Sequence, residues 1–390
     1  MQTFLKSMRQ ININELALNE PLPWTVYDGY GNLLLREGYV LSVPRHIDSL
    51  LARGAYVKVQ EPQVDPSDEV VVEQMPNQMR LAEAREPVFA RATRLANSLE
   101  RLHSDVRAGR LRGEMRRLVE GMAHVIGLAC EHDADALLAA LHTNRQHPYL
   151  VVQQLLGAAI IEIVAREAQV DDVTRTAWVC AALTRDVGLV EVQHALDQQT
   201  TPLTGDQMMV VHHHPEHAVS MLEQMGVTDS LWLQVVSQHQ ERNDGSGYPK
   251  SLRQSEILDG AKLLAIADSY AAMVTPRANR VAKLPHEAMK VLHEARDTAY
   301  EQVWVPRVIK SLTMFPPGSV VQLANGEKAV VRARATSLQT LEVWSFFNAQ
   351  SQLLDTPLPR ATTDASYAVV RPLALTVLGD AAHRVASLWS

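Results

Sequence analysis

Apolar residues recur at helical spacing over 150–165, 174–183, 205–225, 231–239, 257–274 and 286–295, and polar or Gly/Pro breaks separate these runs. The pattern predicts a helical bundle over about 143–313, with no alternation long enough for a sheet. Upstream, ten arginines from Arg80 to Arg117 alternate with acidic and apolar residues, the signature of solvated helix faces laced with ion pairs. Helices are expected over 115–130 and 134–141, so 79–142 reads as a helical arm leading into the bundle. Past Pro316-Pro317-Gly318 the period changes. Segments 320–323 and 328–331 flank Asn325-Gly326, a hairpin signal, and 341–344 and 367–370 are further strand candidates, making 314–390 a β-rich C-terminal appendix. Residues 1–60 read as a small α/β domain: strands at 24–27 and 33–35 about a turn at 28–32, a helix over 44–53 stopped by Gly54, then a strand at 55–59. The Pro-, Asp-, Glu- and Gln-rich stretch 61–78 reads as a linker. The fold class expected is mainly α.

Bulk properties narrow the function. At 390 residues and 46% hydrophobic content the chain can bury several cores, and a net charge of -7 argues against a nucleic-acid polymer as partner. Cys130 and Cys180 sit in apolar helical runs and no CxxC is present, which fits buried thiols in a reducing compartment. The start lacks the features of a signal peptide, and Gln153, Gln154 and Glu162 interrupt the most apolar run, so the expectation is a cytoplasmic chain with no membrane insertion.

The chemistry concentrates in 239–249. His239 follows an apolar helical run, and a tight loop containing Asp244, Gly245, Gly247, Tyr248 and Pro249 comes next. The glycines permit dihedrals that a Cβ resists, and the proline fixes the exit. Asp268 lies within an otherwise apolar helix and Asp186 at the end of another, so each carboxylate needs a cation, a metal or several hydrogen bonds. His147, His214 and His239 read as lying beside helix boundaries. Any one of them alone is more often a satisfied structural residue than a ligand.

The run from His239 to Pro249 resembles the signature of the HD-GYP family, His-His-Glu-x-x-Asp-Gly-x-Gly-Tyr-Pro, and segments 33–38 and 53–57 resemble the small domain that often precedes such modules. The family comprises metal-dependent phosphodiesterases acting on cyclic di-GMP. The resemblance implies an HD-type helical bundle and puts His147, Asp186, His214, His239 and Asp268 at metal-ligand positions, with Asp186 also catalytic as the bridging acid. It implies a divalent ion of the iron or manganese kind, and phosphate-binding roles for Arg277 and Arg280. Partners implied are cyclic di-GMP and a GGDEF-type protein docked on the loop; separately, the helical arm is a candidate surface for pairing with a second copy of the chain, which its spacing does not require.

Four positions depart from the family pattern. Arg185 stands where the family has its name-giving histidine, Gln240 replaces the second histidine of the pair, Leu189 replaces a lysine, and Thr143 an acidic ligand. Arginine stays protonated and cannot ligate, yet its guanidinium pairs with carboxylates as an ion would. The site is therefore expected to hold one ion or none. The first reading is an impaired phosphodiesterase signalling by ligand or partner binding; the alternative is an active enzyme opening cyclic di-GMP to the linear dinucleotide or to GMP. A third is a phosphohydrolase on another nucleotide.

Overall fold

The chain forms two compact units, Met1–Leu81 and Ala82–Ser390. The computed structural model describes residues 8–10, 22, 24–27, 33–36, 38–41, 43, 55–58, 86–277, 280–335, 337 and 340–389. In the first unit, β1 (Met8–Gln10), β2 (Val26–Tyr27), β3 (Leu33–Leu35) and β4 (Tyr56–Lys58) form an antiparallel sheet in the order β1-β4-β2-β3. Val26, Val57 and Ala55 bury themselves with Leu22 and Leu41. The helix expected over 44–53 and the turn at 28–32 lie outside the described residues.

The second unit begins with α1 (Val88–Arg107) and α2 (Glu114–Thr143), whose apolar faces join the same core as the helices that follow. Helix α2 is interrupted at Asp133, whose backbone is extended (φ -161°, ψ 94°). The Asp133 carboxylate accepts the Ala136 N–H at 2.8 Å and caps the second half, the physical cause of the gap read between 130 and 134. Then come α3 (Tyr149–Glu167), α4 (Asp172–Thr184), α5 (Val190–Gln198), α6 (Gly205–Gln224), α7 (Ser230–Gln238), α8 (Asp259–Val274), α9 (Pro285–Glu294) and α10 (Trp304–Leu312).

Helix α3 is the axis of the bundle. Every residue from Leu150 to Ala165 is buried. Among the described residues α3 is the one helix long and apolar enough to cross a membrane, but 89% of that stretch is buried inside the protein, as suits a core helix. Sequence periodicity missed α5 and α10. Both are short, and α10 carries Pro306 at its third position, which reads as a break; there the missing N–H is one the helix would leave unbonded anyway.

The C-terminal region is a five-stranded antiparallel sheet, β5 (Val320–Leu323), β6 (Lys328–Ala333), β7 (Glu342–Phe347), β8 (Leu353–Ala361) and β9 (Val369–Leu373), ordered β8-β7-β6-β5-β9. Strand β8 escaped the sequence reading because Pro357 and Pro359 interrupt it; it lies at the sheet edge, where proline is tolerated. A run of 3-10 turns, Leu375–Trp389, packs Leu378, Val385 and Leu388 on Val320, Val330 and Phe346. Arg334 joins sheet to bundle through Asp135 and the Ser311 carbonyl.

Candidate functional site

Helix α6 carries Pro215 inside it. The sequence reading put His214 beside a helix boundary, whereas it lies in mid-helix. The proline has no N–H to offer the Val211 carbonyl four residues back, and His214 Nδ1 takes that carbonyl instead at 2.6 Å. His239 is the residue that ends α7, and its Nδ1 meets the Val236 carbonyl at 2.7 Å. A carbonyl only accepts, so each Nδ1 holds the proton and each Nε2 is left with a bare lone pair.

The two bare Nε2 atoms face each other at 3.1 Å. Neutral rings in that arrangement repel unless a cation or a proton lies between them. Asp186 Oδ1 completes the group, 3.5 Å from His214 Nε2 and 3.8 Å from His239 Nε2. All three residues are buried and form the one cluster among the described residues with ligand atoms gathered closely enough for a metal ion. Ligand atoms around one first-row ion stand about 3.0–3.4 Å apart given bonds of about 2.0–2.2 Å, so this N,N,O set fits a divalent ion with a small inward movement of the carboxylate. The Nδ1–carbonyl bonds are the outer contacts that fix metal-binding imidazoles.

Asp186 turns its other oxygen, Oδ2, toward Arg185, 3.1 Å from Nε and without hydrogen-bond alignment. Arg185 is completely buried. Its Nε and Nη2 both donate to Asp268 Oδ1, at 3.1 and 2.7 Å, and its Nη1 donates to the Ala182 carbonyl at 2.5 Å. One guanidinium thus lies against two carboxylates, Asp186 in the turn after α4 and Asp268 on α8. Burial by itself pushes the Asp186 carboxyl up, but the Arg185 charge outweighs it and holds the group well below the usual carboxylate range. Burial pushes His239 down and favours the neutral ring that a metal requires.

The remaining residues singled out in the sequence lie around this centre. His147 is half-buried outside the cluster, its Nε2 3.1 Å from Asn97 Oδ1 and its Nδ1 beside Asn144. Asp268 is held by Arg185 and by Gln153 Nε2 at 2.5 Å. Thr143 returns its hydroxyl to the Ala139 carbonyl, and Leu189 is buried. Arg277 lies over the Tyr149 ring at 4.1 Å and donates to its hydroxyl at 2.8 Å, while Arg280 donates to the Ala272 carbonyl.

The loop folds back on α6. Gly245 has φ +81°, and a Cβ on Gly247 would run into the backbone of Gln240, Glu241 and Arg242. The Gln240 carbonyl accepts the Tyr248 N–H at 3.3 Å, and a cis peptide precedes Pro249. Asp244 caps the turn through the Ser246 N–H and hydroxyl. The Tyr248 ring stacks on His212, centroids 4.5 Å apart, and so lies next to His214.

Several site residues escaped the sequence reading. Gln153 and Gln154 read only as interruptions of an apolar run, yet Gln153 binds Asp268 and Gln154 binds the buried His103 at 2.9 Å. Buried Glu241 ties the loop by accepting the N–H groups of Lys250 and Leu252. Gly188 lets the turn after Asp186 touch α6: a Cβ there would stand 2.7 Å from the His214 carbonyl. A polar residue inside an otherwise apolar helix was the available signal for the glutamines; Gly188 had none.

The HD domain family matches residues 138–302. Over 231 residues the chain is 27% identical to the cyclic di-GMP phosphodiesterase PA4108 of Pseudomonas aeruginosa, covering 59% of this chain and 55% of that one. It is 24% identical to the 3'3'-cGAMP-specific phosphodiesterase 3 of Vibrio cholerae, covering 44% of this chain and 37% of the relative, and 26% identical to a cyclic di-GMP phosphodiesterase of Thermotoga maritima, covering 38% and 40%. The matches thus span about half or less of these relatives' lengths. The matched segment contains the Asp186–His214–His239 cluster, Asp268 and the loop to Pro249, so the chain carries an HD domain that holds the candidate site, and its similarity to these phosphodiesterases supports the HD-GYP resemblance.

Proposed function

We propose that this chain is a cyclic di-GMP signalling protein of weakened phosphodiesterase activity, acting by binding the dinucleotide or a GGDEF-type partner. The observation that carries the reading is the placement of Arg185. A carboxylate bridging two ions would use one oxygen for each; Asp186 has a guanidinium at one oxygen and two imidazoles at the other. Arg185 therefore stands in for one ion in charge, but it cannot acidify water or accept a phosphoryl oxygen as a ligand.

Asp186, His214 and His239 would hold a single ion of the iron or manganese kind. Such an ion supplies Lewis acidity toward a phosphoryl oxygen and raises the acidity of water. The protein's own part is to hold both rings in the Nδ1–H tautomer through the Val211 and Val236 carbonyls, and to offer Arg277, on Tyr149, to a phosphate. In the same reading the exposed tip of the loop around Ser246 is where a partner domain docks, and the chain pairs with a second copy.

The alternative, a competent phosphodiesterase, is favoured by the names of the relatives, which are hydrolases of cyclic dinucleotides. Metal analysis with a turnover assay on cyclic di-GMP decides between them. The expected result is at most one ion per chain with slow or no hydrolysis, and a gain of metal and turnover in Arg185→His combined with Gln240→His. Two ions per chain with turnover that the double variant does not increase would establish the enzyme reading instead.

A further inference from the structure

Helix α6 opens on an apolar surface that the bundle core does not use. Met208 and Met209 are 45% and 63% exposed, and they precede His212 by four and three residues, so the three side chains lie on one side of the helix. The His212 ring is exposed too, and among the described residues Tyr248 is the one ring in contact with it, stacked at 4.5 Å and 11°. Tyr248 meets His214 edge-on at 6.2 Å, and His214 meets His239 at 5.0 Å. A ladder of rings thus runs from the buried Asp186 cluster to solvent and ends on the outer face of His212, with the two thioethers beside it. The first turn that carries them is fixed by a capping box: Thr204 Oγ1 accepts the Gln207 N–H at 3.2 Å, and Gln207 Oε1 accepts the Thr204 N–H at 2.9 Å. An exposed apolar strip on a rigid element, continuous with a buried polar centre, is the mark of a surface that a ligand covers.

We propose that this strip seats one purine base of the dinucleotide, with His212 as the stacking residue and Met208 and Met209 along the base edge; the inference rests on the reading above that the chain binds a cyclic dinucleotide. Residues 205–224 include no lysine or arginine, and their carboxylates are Asp206, Glu216 and Glu223, so the strip suits an uncharged planar body and not a phosphate. The phosphate belongs at the centre, two ring contacts away, and the base outside it. The imidazole offers a flat face to any base, which sets affinity. The flexible thioethers mould to the second ring of a purine, which a pyrimidine lacks, and this sets the preference. His212 is therefore a specificity-determining residue: it meets the base and leaves the phosphodiester to the Asp186 cluster.

Calorimetric titration of the full chain with cyclic di-GMP and with cyclic di-UMP, its pyrimidine counterpart, tests this. The parent is expected to prefer cyclic di-GMP by at least about fivefold. His212→Ala should weaken cyclic di-GMP by at least about fivefold, the loss of one base stack, and shrink the preference; His212→Phe, which keeps a flat ring, should restore both. Met208→Ala combined with Met209→Ala should lower cyclic di-GMP affinity by about two- to tenfold. Mn2+ affinity, set by the Asp186 cluster, should be the same in all these variants. Undiminished cyclic di-GMP binding in His212→Ala, or equal affinity of the parent for the two dinucleotides, overturns the base seat and leaves the proposed function standing. Loss of Mn2+ affinity together with the dinucleotide in His212→Ala would make His212 a prop for Tyr248 and overturns the base seat as well. No binding of cyclic di-GMP to the parent overturns both readings.

Discussion

Arg185 places two of its donors on a single oxygen of Asp268, 2.7 and 3.1 Å away, while the carboxylate of its own neighbour Asp186 lies 3.1 Å from the same guanidinium. The cation is fully buried and both acids are nearly so. Mutual neutralisation is what allows three ionised groups to share a dry interior. The same arrangement limits what chemistry the centre can perform.

Removing the cation exposes that dependence. Arg185→Met leaves two buried carboxylates facing each other and should destabilise the protein by about 3–5 kcal/mol. Combining it with Asp268→Leu should cost less than the two single losses added together, since the pair is removed as a unit. Urea unfolding of the two single variants and the double variant measures this; strict additivity would mean that the groups do not interact.

Pro215 is expected to serve the site rather than the helix. Pro215→Ala restores an N–H that competes with His214 Nδ1 for the Val211 carbonyl, loosening the imidazole. Affinity for Mn2+ should fall by roughly 10–100-fold, the usual cost of losing an outer contact to a metal-binding histidine, while helix stability is kept or raised. Nitrogen NMR of the His214 ring reports the tautomer directly. An unchanged tautomer and unchanged affinity would count against the role given to the proline.

Gly188 sets the spacing between Asp186 and His214. The Cβ of Gly188→Ala would stand 2.7 Å from the His214 carbonyl and 3.0 Å from the Ala218 nitrogen, both rigid backbone atoms. The turn must move off α6, at about 1–3 kcal/mol, and the carboxylate moves with it. Thermal unfolding should show the loss and Mn2+ titration a weaker site; a variant matching the parent in both would show that the contact is not tight.

Acid should weaken the fold before it removes the contribution of Asp186. Burial is the largest cause of the low pKa of His103 and of His142, each about 4 against an ordinary 6.5. Between pH 6.5 and 4 the unfolded chain takes up protons that the native chain refuses, so stability is complete above 6.5 and falls as pH drops. The loss is at most about 3 kcal/mol for each ring. Asp186, held below the carboxylate range, keeps its contribution through this window and loses it only at lower pH. Urea midpoints at pH 7.5, 5.5 and 4.5 follow the trend; a flat series would mean that neither ring is excluded from water.

Much of the molecule was legible along the chain. Helical spacing located six of the bundle helices because their period is a local property, and the turn residues of 244–249 and Asn325-Gly326 announced themselves in the same way. The residue types at 186, 214, 239 and 268, and the anomaly at 185, could be read without coordinates, as could the need of each buried acid for a partner. Packing alone decided the rest. The shared pocket of Asp186, His214 and His239 forms where α4, α6 and α7 meet, and no periodicity encodes which faces of three helices converge. Nor did the sequence show that Arg185 turns inward to Asp268 rather than out to water, or that Gln153 completes its shell. Those outcomes follow from removing charges from solvent together, a cost that is known only once the surrounding helices are in place.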